Sequence, residues 1–394
     1  MVTINKYKIK SRDKTMINEN NEITLYNGGK EAFPRIIERI EKAEKSIVIA
    51  MFVWREDKIG NQIAEKLLEA SNRGVTIHII KDKLGMVFEL AEEKKKSLFH
   101  NEFDLKLMIK ARFMDLFYPM EGKSKYHKQT KGSIYQQIIN NQNIKADKDN
   151  IRNDHSKYYI FDDSTLIMGG MNIEDKSIYT DVEGKEYIDF MIELNGEKYV
   201  EKLYDKINYI NQQNQDENIK YIINIENNSI RNFEIKHEML DLLSSAKESV
   251  TIIMAYIGDK DITGKIIEIA NKGINVTILL PEKANLQNDL NMKTLKSIMS
   301  GTNNKINAYL SKKMVHAKMI IIDDRIVTFG SCNINKNSMT KLSELNILIN
   351  ISSCKEFDEK LKLSLEENFK NTIKITDANM INYNPIKAMI ENMI

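Results

Sequence analysis

Residues 153–172 read NDHSKYYIFDDSTLIMGGMN, and residues 316–333 read HAKMIIIDDRIVTFGSCN. Both contain His-x-Lys-x4-Asp-Asp, followed by Gly and Asn at matching places. His155, Lys157, Asp162, Gly169 and Asn172 become His316, Lys318, Asp323, Gly330 and Asn333 by a single shift of 161. Chance does not hold five polar or glycine positions in one register, so the halves are structural repeats. Each copy reads as a hairpin: a strand, an Asp-Asp turn, and a second strand ending in small residues. Positions two apart on a strand share a face, so His and Lys project together. Such groups are costly to bury unless they bind something. The small Gly-Gly-x-Asn and Gly-Ser-x-Asn endings are expected to let backbone approach a ligand while Asn supplies donors. Packing of the halves about a pseudo-twofold axis brings both His/Lys/Asn sets to one site.

Working outward, the repeat continues. AEKSIVIAMFVW (43–54) and AKESVTIIMAYI (246–257) each follow an amphipathic helix and read as buried strands. Helices IGNQIAEKLLEASNRG and ITGKIIEIANKG come next, then strands VTIHII and INVTILL. Strand, helix, glycine and strand make a βαβ unit in two copies. The expected architecture is α/β, with a tail (1–22), a first lobe (23–212) and a second lobe (213–394). The polar stretch NQQNQDENIK (211–220) marks the boundary. About 38 more residues separate Gly74 from His155 than separate Gly273 from His316. An insertion at about 84–150 is therefore expected in the first lobe.

That insertion contains Phe99, Phe103, Leu107, Ala111, Met114 and Tyr118 at helical spacing, stopped by Pro119. Lys123, Lys125, Lys128 and Lys131 follow. Residues 99–131 can be a helix over the mouth of the site or on an anionic lipid surface, with a basic tail meeting headgroups. They can equally be a helix packed on its own lobe.

The chain has 394 residues, 42% of them hydrophobic and 29% charged, which suits a globular protein and argues against disorder. The net charge of +2 is too small to imply a nucleic-acid coat. Two cysteines, Cys332 and Cys354, are too few for a disulfide framework, and no Cys/His spacing suggests zinc. No cofactor or metal is expected. The N-terminal stretch lacks the apolar core of a signal peptide, and no apolar run is long enough for a transmembrane helix. The expected location is cytoplasmic, with at most peripheral contact with the inner face of the membrane.

Two histidines, two lysines and two asparagines suit a phosphodiester, whose single negative charge they can hold without a metal. One imidazole can attack phosphorus to give a phosphohistidine. The other can protonate the leaving oxygen and then deprotonate an incoming alcohol or water. Each histidine needs an acceptor on its other ring nitrogen, and Asp189 and Glu344, in alternating strand-like segments, are the candidates. Asp162 and Asp323 brace the hairpins. His78, His100, His127 and His237 read as structural, and Trp54 and Tyr256 as core or pocket wall. Ser331 faces only Gly170 in the other copy, so its hydroxyl could contact phosphate from one side alone.

The doubled HxKxxxxD pattern with its GGMN and GSCN endings resembles the phospholipase D superfamily. LYNGGKEAFPRIIERIEKAEKSIVIAMFVW and the IGNQIAEKLLEASNRGV helix are similar to its cardiolipin synthase branch. The resemblance covers most of residues 24 to 350. It implies two α/β/α lobes with mixed central sheets, one active site between them, and a two-step ping-pong reaction without a metal. It makes His155 the nucleophile, His316 the acid/base, Lys157, Lys318, Asn172 and Asn333 phosphate ligands, and Asp189 and Glu344 the partners of the histidines. The usual N-terminal membrane-spanning segments of that branch are missing from this sequence.

The leading expectation is transfer or hydrolysis of phosphatidyl groups, with a phospholipid and an alcohol or water as reactants. A metal-independent phosphodiesterase acting on nucleic acid is the alternative, disfavoured by the lack of a basic-aromatic stripe. A catalytically inactive scaffold is the third possibility, and two intact motifs argue against it.

Overall fold

The periodicity of the two repeats resolves into two mixed sheets in the computed structural model, which describes residues 22–91, 97–100, 104–117, 133–178, 187–208, 218–226 and 231–393. The first sheet comprises β1 (Ile23–Asn27), β2 (Ser46–Met51), β3 (Thr76–Lys81), β4 (Ile144–Asp147), β5 (Tyr158–Phe161), β6 (Thr165–Gly169) and β7 (Phe190–Asn195). The second comprises β8 (Ile219–Glu226), β9 (Arg231–Phe233), β10 (Ser249–Met254), β11 (Asn275–Pro281), β12 (Asn307–Ser311), β13 (Lys318–Ile322), β14 (Ile326–Gly330), β15 (Glu344–Asn350) and β16 (Thr372–Ile375). The first half carries helices α1 (Gly29–Lys42), α2 (Lys58–Asn72), α3 (Met86–Ala91), α4 (Leu105–Phe117), α5 (Ile134–Ile139) and α6 (Glu197–Ile207). The second carries α7 (Ile235–Ser245), α8 (Lys260–Asn271), α9 (Asn288–Gly301), α10 (Lys336–Thr340), α11 (Lys355–Phe369) and α12 (Pro385–Glu391).

Strand order makes the duplication explicit. The block β7-β6-β5-β2-β3-β4 recurs as β15-β14-β13-β10-β11-β12. The pairs β2/β3 and β10/β11 are parallel, and parallel neighbours need a crossover, which α2 and α8 supply. Their caps are equivalent too: Asp57 accepts from the Gly60 N–H, and Asp259 from those of Asp261 and Ile262. Gly74 (φ 95°) and Gly273 (φ 98°) then turn the chain into the next strand in the left-handed conformation that favours glycine.

Three apolar layers hold the fold. Helices α1, α2 and α5 cover the outer face of the first sheet through Phe33, Ile36, Ile63 and Leu67. Helices α7, α8 and α9 do the same for the second through Leu243, Ile266 and Leu295. Between the sheets, Ile160, Met168 and Ile192 meet Ile253, Met319 and Phe329, with α6 and α11 adding Leu203 and Leu361. Strands β5 and β13 are buried along their whole length, which explains their nearly unbroken apolar sequences.

The motif aspartates act at the far end of each hairpin from the histidine. The Asp162 carboxylate accepts the backbone N–H groups of Glu44, Lys45 and Ser46 at 2.7–3.2 Å. Asp323 accepts those of Lys247, Glu248 and Ser249 at 2.8–3.2 Å. Burial pushes the Asp323 carboxyl up, but these three donors outweigh it and hold the group below its usual range. Each carboxylate ties its hairpin to the bend that enters the central parallel strand. Asp323→Ala is expected to cost about 1–3 kcal/mol of folding stability, as three donors lose their acceptor. Turnover per folded molecule should change less than about threefold, because bracing touches no reacting atom. Denaturation curves read beside kcat check both halves; a collapse of kcat in a fully folded variant overturns the bracing role.

Two expectations need correction. The span 84–150 is not all extra chain. β4 pairs parallel with β3 as β12 pairs with β11, and α5 packs into the outer layer through Tyr135 and Ile138. The amphipathic helix does not begin at Phe99. Phe99 lies edge-on to Trp54, with ring centroids 5.2 Å apart, in the outer core, and α4 starts only at Leu105. Phe103, Tyr118, His127 and the four lysines at 123, 125, 128 and 131 lie outside the described residues, as do residues 1–21 and the boundary at 212–213. Among the described residues no helix is long and apolar enough to cross a membrane.

Candidate active site

His155 stands three residues before β5 and His316 two residues before β13, at positions where chain from the other lobe crosses. The His155 N–H donates to the Ser343 carbonyl at 2.8 Å, and the His316 N–H donates to the Ile188 carbonyl at 2.8 Å. Short parallel bridges, Asp154 with Ser343 and Ile188 with Val315, flank these bonds. The residue following each acceptor is a carboxylate. The two lobes are thereby stitched together at the histidines.

The side chains cross in the same way. His155 Nδ1 lies 3.1 Å from Glu344 Oε2, and His316 Nδ1 lies 2.7 Å from Asp189 Oδ2. Each imidazole is oriented by the carboxylate of the opposite lobe. A proton on Nδ1 directed at a carboxylate leaves the Nε2 lone pair free to react. Both carboxylates are buried, Glu344 at 1% and Asp189 at 3% exposure; Asp189 directly precedes β7, which runs between β1 and β6, and Glu344 opens β15, which runs between β14 and β8.

Ser331 is not placed to hold phosphate. Its hydroxyl donates to Glu344 Oε2 and accepts the Leu345 N–H at 3.0 Å, while its carbonyl lies 3.2 Å from His155 Nδ1. The site thus uses Ser331 to fix the carboxylate that orients His155. A serine in the equivalent place of the first motif would push on Asp189, because a Cβ on Gly170 would stand 2.4 Å from Asp189 Oδ1. The motif glycines make room for the neighbouring chain. A Cβ on Gly169 would meet the Phe190 carbonyl at 2.2 Å, and one on Gly330 the Leu345 carbonyl at 2.2 Å.

The lysine heads fold back beside the histidines: Lys157 Nζ donates to the His155 carbonyl and Lys318 Nζ to the His316 carbonyl. Both side chains are buried, and burial pulls them down to about 7 for Lys157 and about 8 for Lys318 against the pull of Glu344 and Asp189. Burial, reinforced by Lys157, lowers His155 to about 4. Burial and Lys318 likewise lower His316. At neutral pH the free site therefore holds neutral imidazoles. Glu344 is raised by burial but lowered more strongly by His155, Lys157 and the Ser331 hydroxyl, so it stays ionised.

Both histidines, with Asn172 and Asn333, line one cavity of about 840 Å³. The Asn172 Oδ1 accepts the Val53 N–H at 3.3 Å, while the buried Oδ1 of Asn333 has no hydrogen-bond partner. The walls differ in character. Helices α3 and α4 contribute Val87, Phe88, Ile109 and Phe113, with Leu84 and Leu286 beside them. The end of β8 and α10 contribute Glu226, Asn337, Ser338 and Lys341. Among the described residues no group of three or more His, Cys, Asp or Glu side chains could hold a metal ion.

Sequence reasoning missed several wall residues. The Phe52 ring stands edge-on to His155 with centroids 4.7 Å apart, and Tyr187 stacks on His316 at 5.7 Å. Arg55, almost fully buried, donates to Glu174 at 2.8 Å and to the carbonyls of Phe88 and Glu89, fixing α3 against the cavity. Only the repeat alignment hinted at Phe52, which faces Ala255 in the second copy and so marks a difference between the lobes. Tyr256 does line the cavity, whereas Trp54 is core, its indole N–H donating to the Gly60 carbonyl at 3.1 Å. His78 pairs with Asp147 at 2.7 Å and His100 with the Lys148 carbonyl at 2.7 Å.

Comparison with known proteins adds an independent line. The family described as cardiolipin synthase, PLD-like domain, matches residues 36–207 and 239–372. The chain is 24% identical over 375 residues to cardiolipin synthase 2 of Staphylococcus epidermidis, covering 91% of this chain and 69% of that protein. It is 24% identical over 388 residues to a cardiolipin synthase of Clostridium perfringens, covering 93% and 73%. The fold is similar to that of phosphatidylserine synthase from Haemophilus influenzae, with a TM-score of 0.66 at 13% identity, covering 94% of this chain and 92% of that one. It is also similar to polyphosphate kinase from Porphyromonas gingivalis, with a TM-score of 0.54 at 10% identity, covering 94% and 52%.

Proposed function

Because the chain belongs to the phospholipase D superfamily, in its cardiolipin synthase-like branch, we propose that it is an enzyme that transfers phosphatidyl groups between phospholipid headgroups and an alcohol or water. One observation carries the reading: two histidines, each oriented by a carboxylate from the opposite lobe, line a single cavity that is largely apolar along α3 and α4, where Lys110 is the cation, and polar along β8 and α10. A phospholipid has that same division, with its phosphodiester at the boundary.

In the first step His155 Nε2 donates its lone pair to phosphorus, and the P–O bond to the headgroup alcohol breaks. The departing oxygen takes a proton from His316, which has acquired it as the anionic phosphodiester enters beside it. In the second step neutral His316 takes the proton of the acceptor hydroxyl, that oxygen bonds phosphorus, and the P–N bond breaks to return the electron pair to His155. Glu344 and Asp189 keep Nδ1 protonated through both steps. The Asn172 and Asn333 amides hold the phosphoryl oxygens, and the charges of Lys157 and Lys318 favour the anion.

Incubation with phosphatidylglycerol vesicles and, separately, with single-stranded DNA, followed by mass spectrometry of the products, tests the proposal. Cardiolipin with free glycerol is expected if a second lipid is the acceptor. Phosphatidic acid with free glycerol identifies water as the acceptor. Cut DNA with untouched lipid overturns the phospholipid assignment.

A further inference from the structure

Ten large apolar side chains stand exposed among the described residues, and six of them belong to just two helical segments. Leu105, Ile109 and Phe113 of α4 are 60%, 59% and 49% exposed, and Ile386, Met389 and Met393, on or just past α12, are 68%, 58% and 72% exposed. Scattered exposed apolar residues need no explanation, but clusters do. Each helix is docked by other side chains. α4 is held by Leu107, Ala111 and Met114, which pack with Met86 and Val87 of α3. α12 is held by buried Ala388 and by the Glu391 carboxylate, which accepts the Leu290 N–H at 2.7 Å. On a 3.6-residue repeat the exposed residues of each helix form one stripe facing away from its buried one.

The two stripes come from different lobes and meet at one opening. Ile109 and Phe113 line the cavity from the first lobe and Met393 from the second. Leu286, just before the α9 turn to which α12 is tied, packs against the α3–α4 cluster and closes the gap between them. Exposed cations accompany the apolar stripes: Lys106, Lys110 and Arg112 on α4, and Lys387 on α12. Apolar side chains bordered by cations are what an interfacial helix presents to anionic lipid. Continuity with the cavity selects the occupant. A lipid surface seated here keeps the acyl chains in contact with apolar groups as the phosphodiester rises toward the histidines, whereas a protein partner would stopper the mouth.

We propose that α4 and α12 form a single docking rim, shared by both lobes, for an anionic phospholipid surface. This rests on the phosphatidyl-transfer reading above and goes beyond it by making the C-terminal helix of the second lobe part of the membrane contact. The test uses the full chain with Leu105→Asp and with the pair Ile386→Asp and Met389→Asp, none of which lines the cavity. Binding is read by co-sedimentation with vesicles of phosphatidylglycerol and phosphatidylcholine. Turnover is read separately on monomeric short-chain phosphatidylglycerol.

Each variant is expected to lose roughly tenfold or more in vesicle affinity while keeping short-chain turnover within about twofold. Pure phosphatidylcholine vesicles should bind the wild type less well, since the cations then have no anionic partner. Unchanged vesicle binding in the α12 pair overturns the shared rim. A shift from dimer to monomer in light scattering, with vesicle binding intact, shows the face to be a contact between copies and overturns it too. Absence of turnover on the short-chain lipid by the wild type, with vesicle binding still lost in the variants, strikes the functional reading and leaves the rim standing.

Discussion

Replacing His155 with alanine should abolish transfer, lowering turnover on the order of 10⁴-fold or more, because the one imidazole left in the cavity, His316, cannot serve at once as nucleophile and as acid/base. The more discriminating variant is His316→Ala. With a lipid substrate it should be nearly as inactive, since the headgroup oxygen leaves without a proton. With a p-nitrophenyl phosphodiester, whose leaving group needs none, the first step should proceed and the second should stall for want of a base. The phosphoryl group then accumulates on His155. Intact-protein mass spectrometry would show the added mass, and the adduct should be labile to acid and stable to alkali, as a P–N bond is. The same adduct on His316 in the His155→Ala protein would reverse the two roles. No adduct on either, alongside retained turnover, would end the covalent mechanism.

The second large effect belongs to the crossed carboxylates. Asp189→Asn and Glu344→Gln preserve shape but remove the charge that keeps the Nδ1 proton in place, and each is expected to lower kcat by roughly 10²–10⁴-fold. A merely structural carboxylate would change stability without moving the pH profile, so the profile is the readout. For the wild type, kcat/KM should fall as pH drops through about 4, where His155 takes a proton and ceases to be a nucleophile. It should also fall as pH rises, first where His316, held below its ordinary value, gives up the proton the leaving oxygen needs, and then through about 7 to 8, where Lys157 and then Lys318 lose the charges that favour an anion. Glu344 raises Lys157 toward its ordinary value, so Glu344→Gln should move the alkaline limb to lower pH. An alkaline limb that stays put in that variant contradicts the electrostatic coupling. Ser331→Ala, which removes the hydroxyl bond to Glu344, should reproduce a weaker form of the same loss.

Much of this was legible before any coordinates. The shift of 161 between the motifs and the paired βαβ units foretold two equivalent sheets, and the strand order repeats block for block. The limits were equally physical. The spacing rule that put Phe99 and Leu107 on one helix face holds only inside a helix, and the chain at Phe99 turns into the outer core beside Trp54 before any helix starts. The small residues after each hairpin read as a demand for close approach, but their sequence does not name the groups that crowd them, which are the chain leading into β7 and the start of β15. The exposed stripe of α4 was missed as well, because the helical spacing picked out Leu107, Ala111 and Met114, which are buried, and not Leu105, Ile109 and Phe113 on the opposite face.

The division follows from range. Strand and helix periods, turn chemistry and the duplicated His-x-Lys spacing are properties of short stretches of backbone, and the sequence alone determined them. The pairing of His155 with Glu344 and of His316 with Asp189 joins residues 189 and 127 positions apart. No local rule reaches that far. The apolar inner faces of the two sheets decide it, since only their packing brings the start of each hairpin against the strand that carries the other lobe's carboxylate.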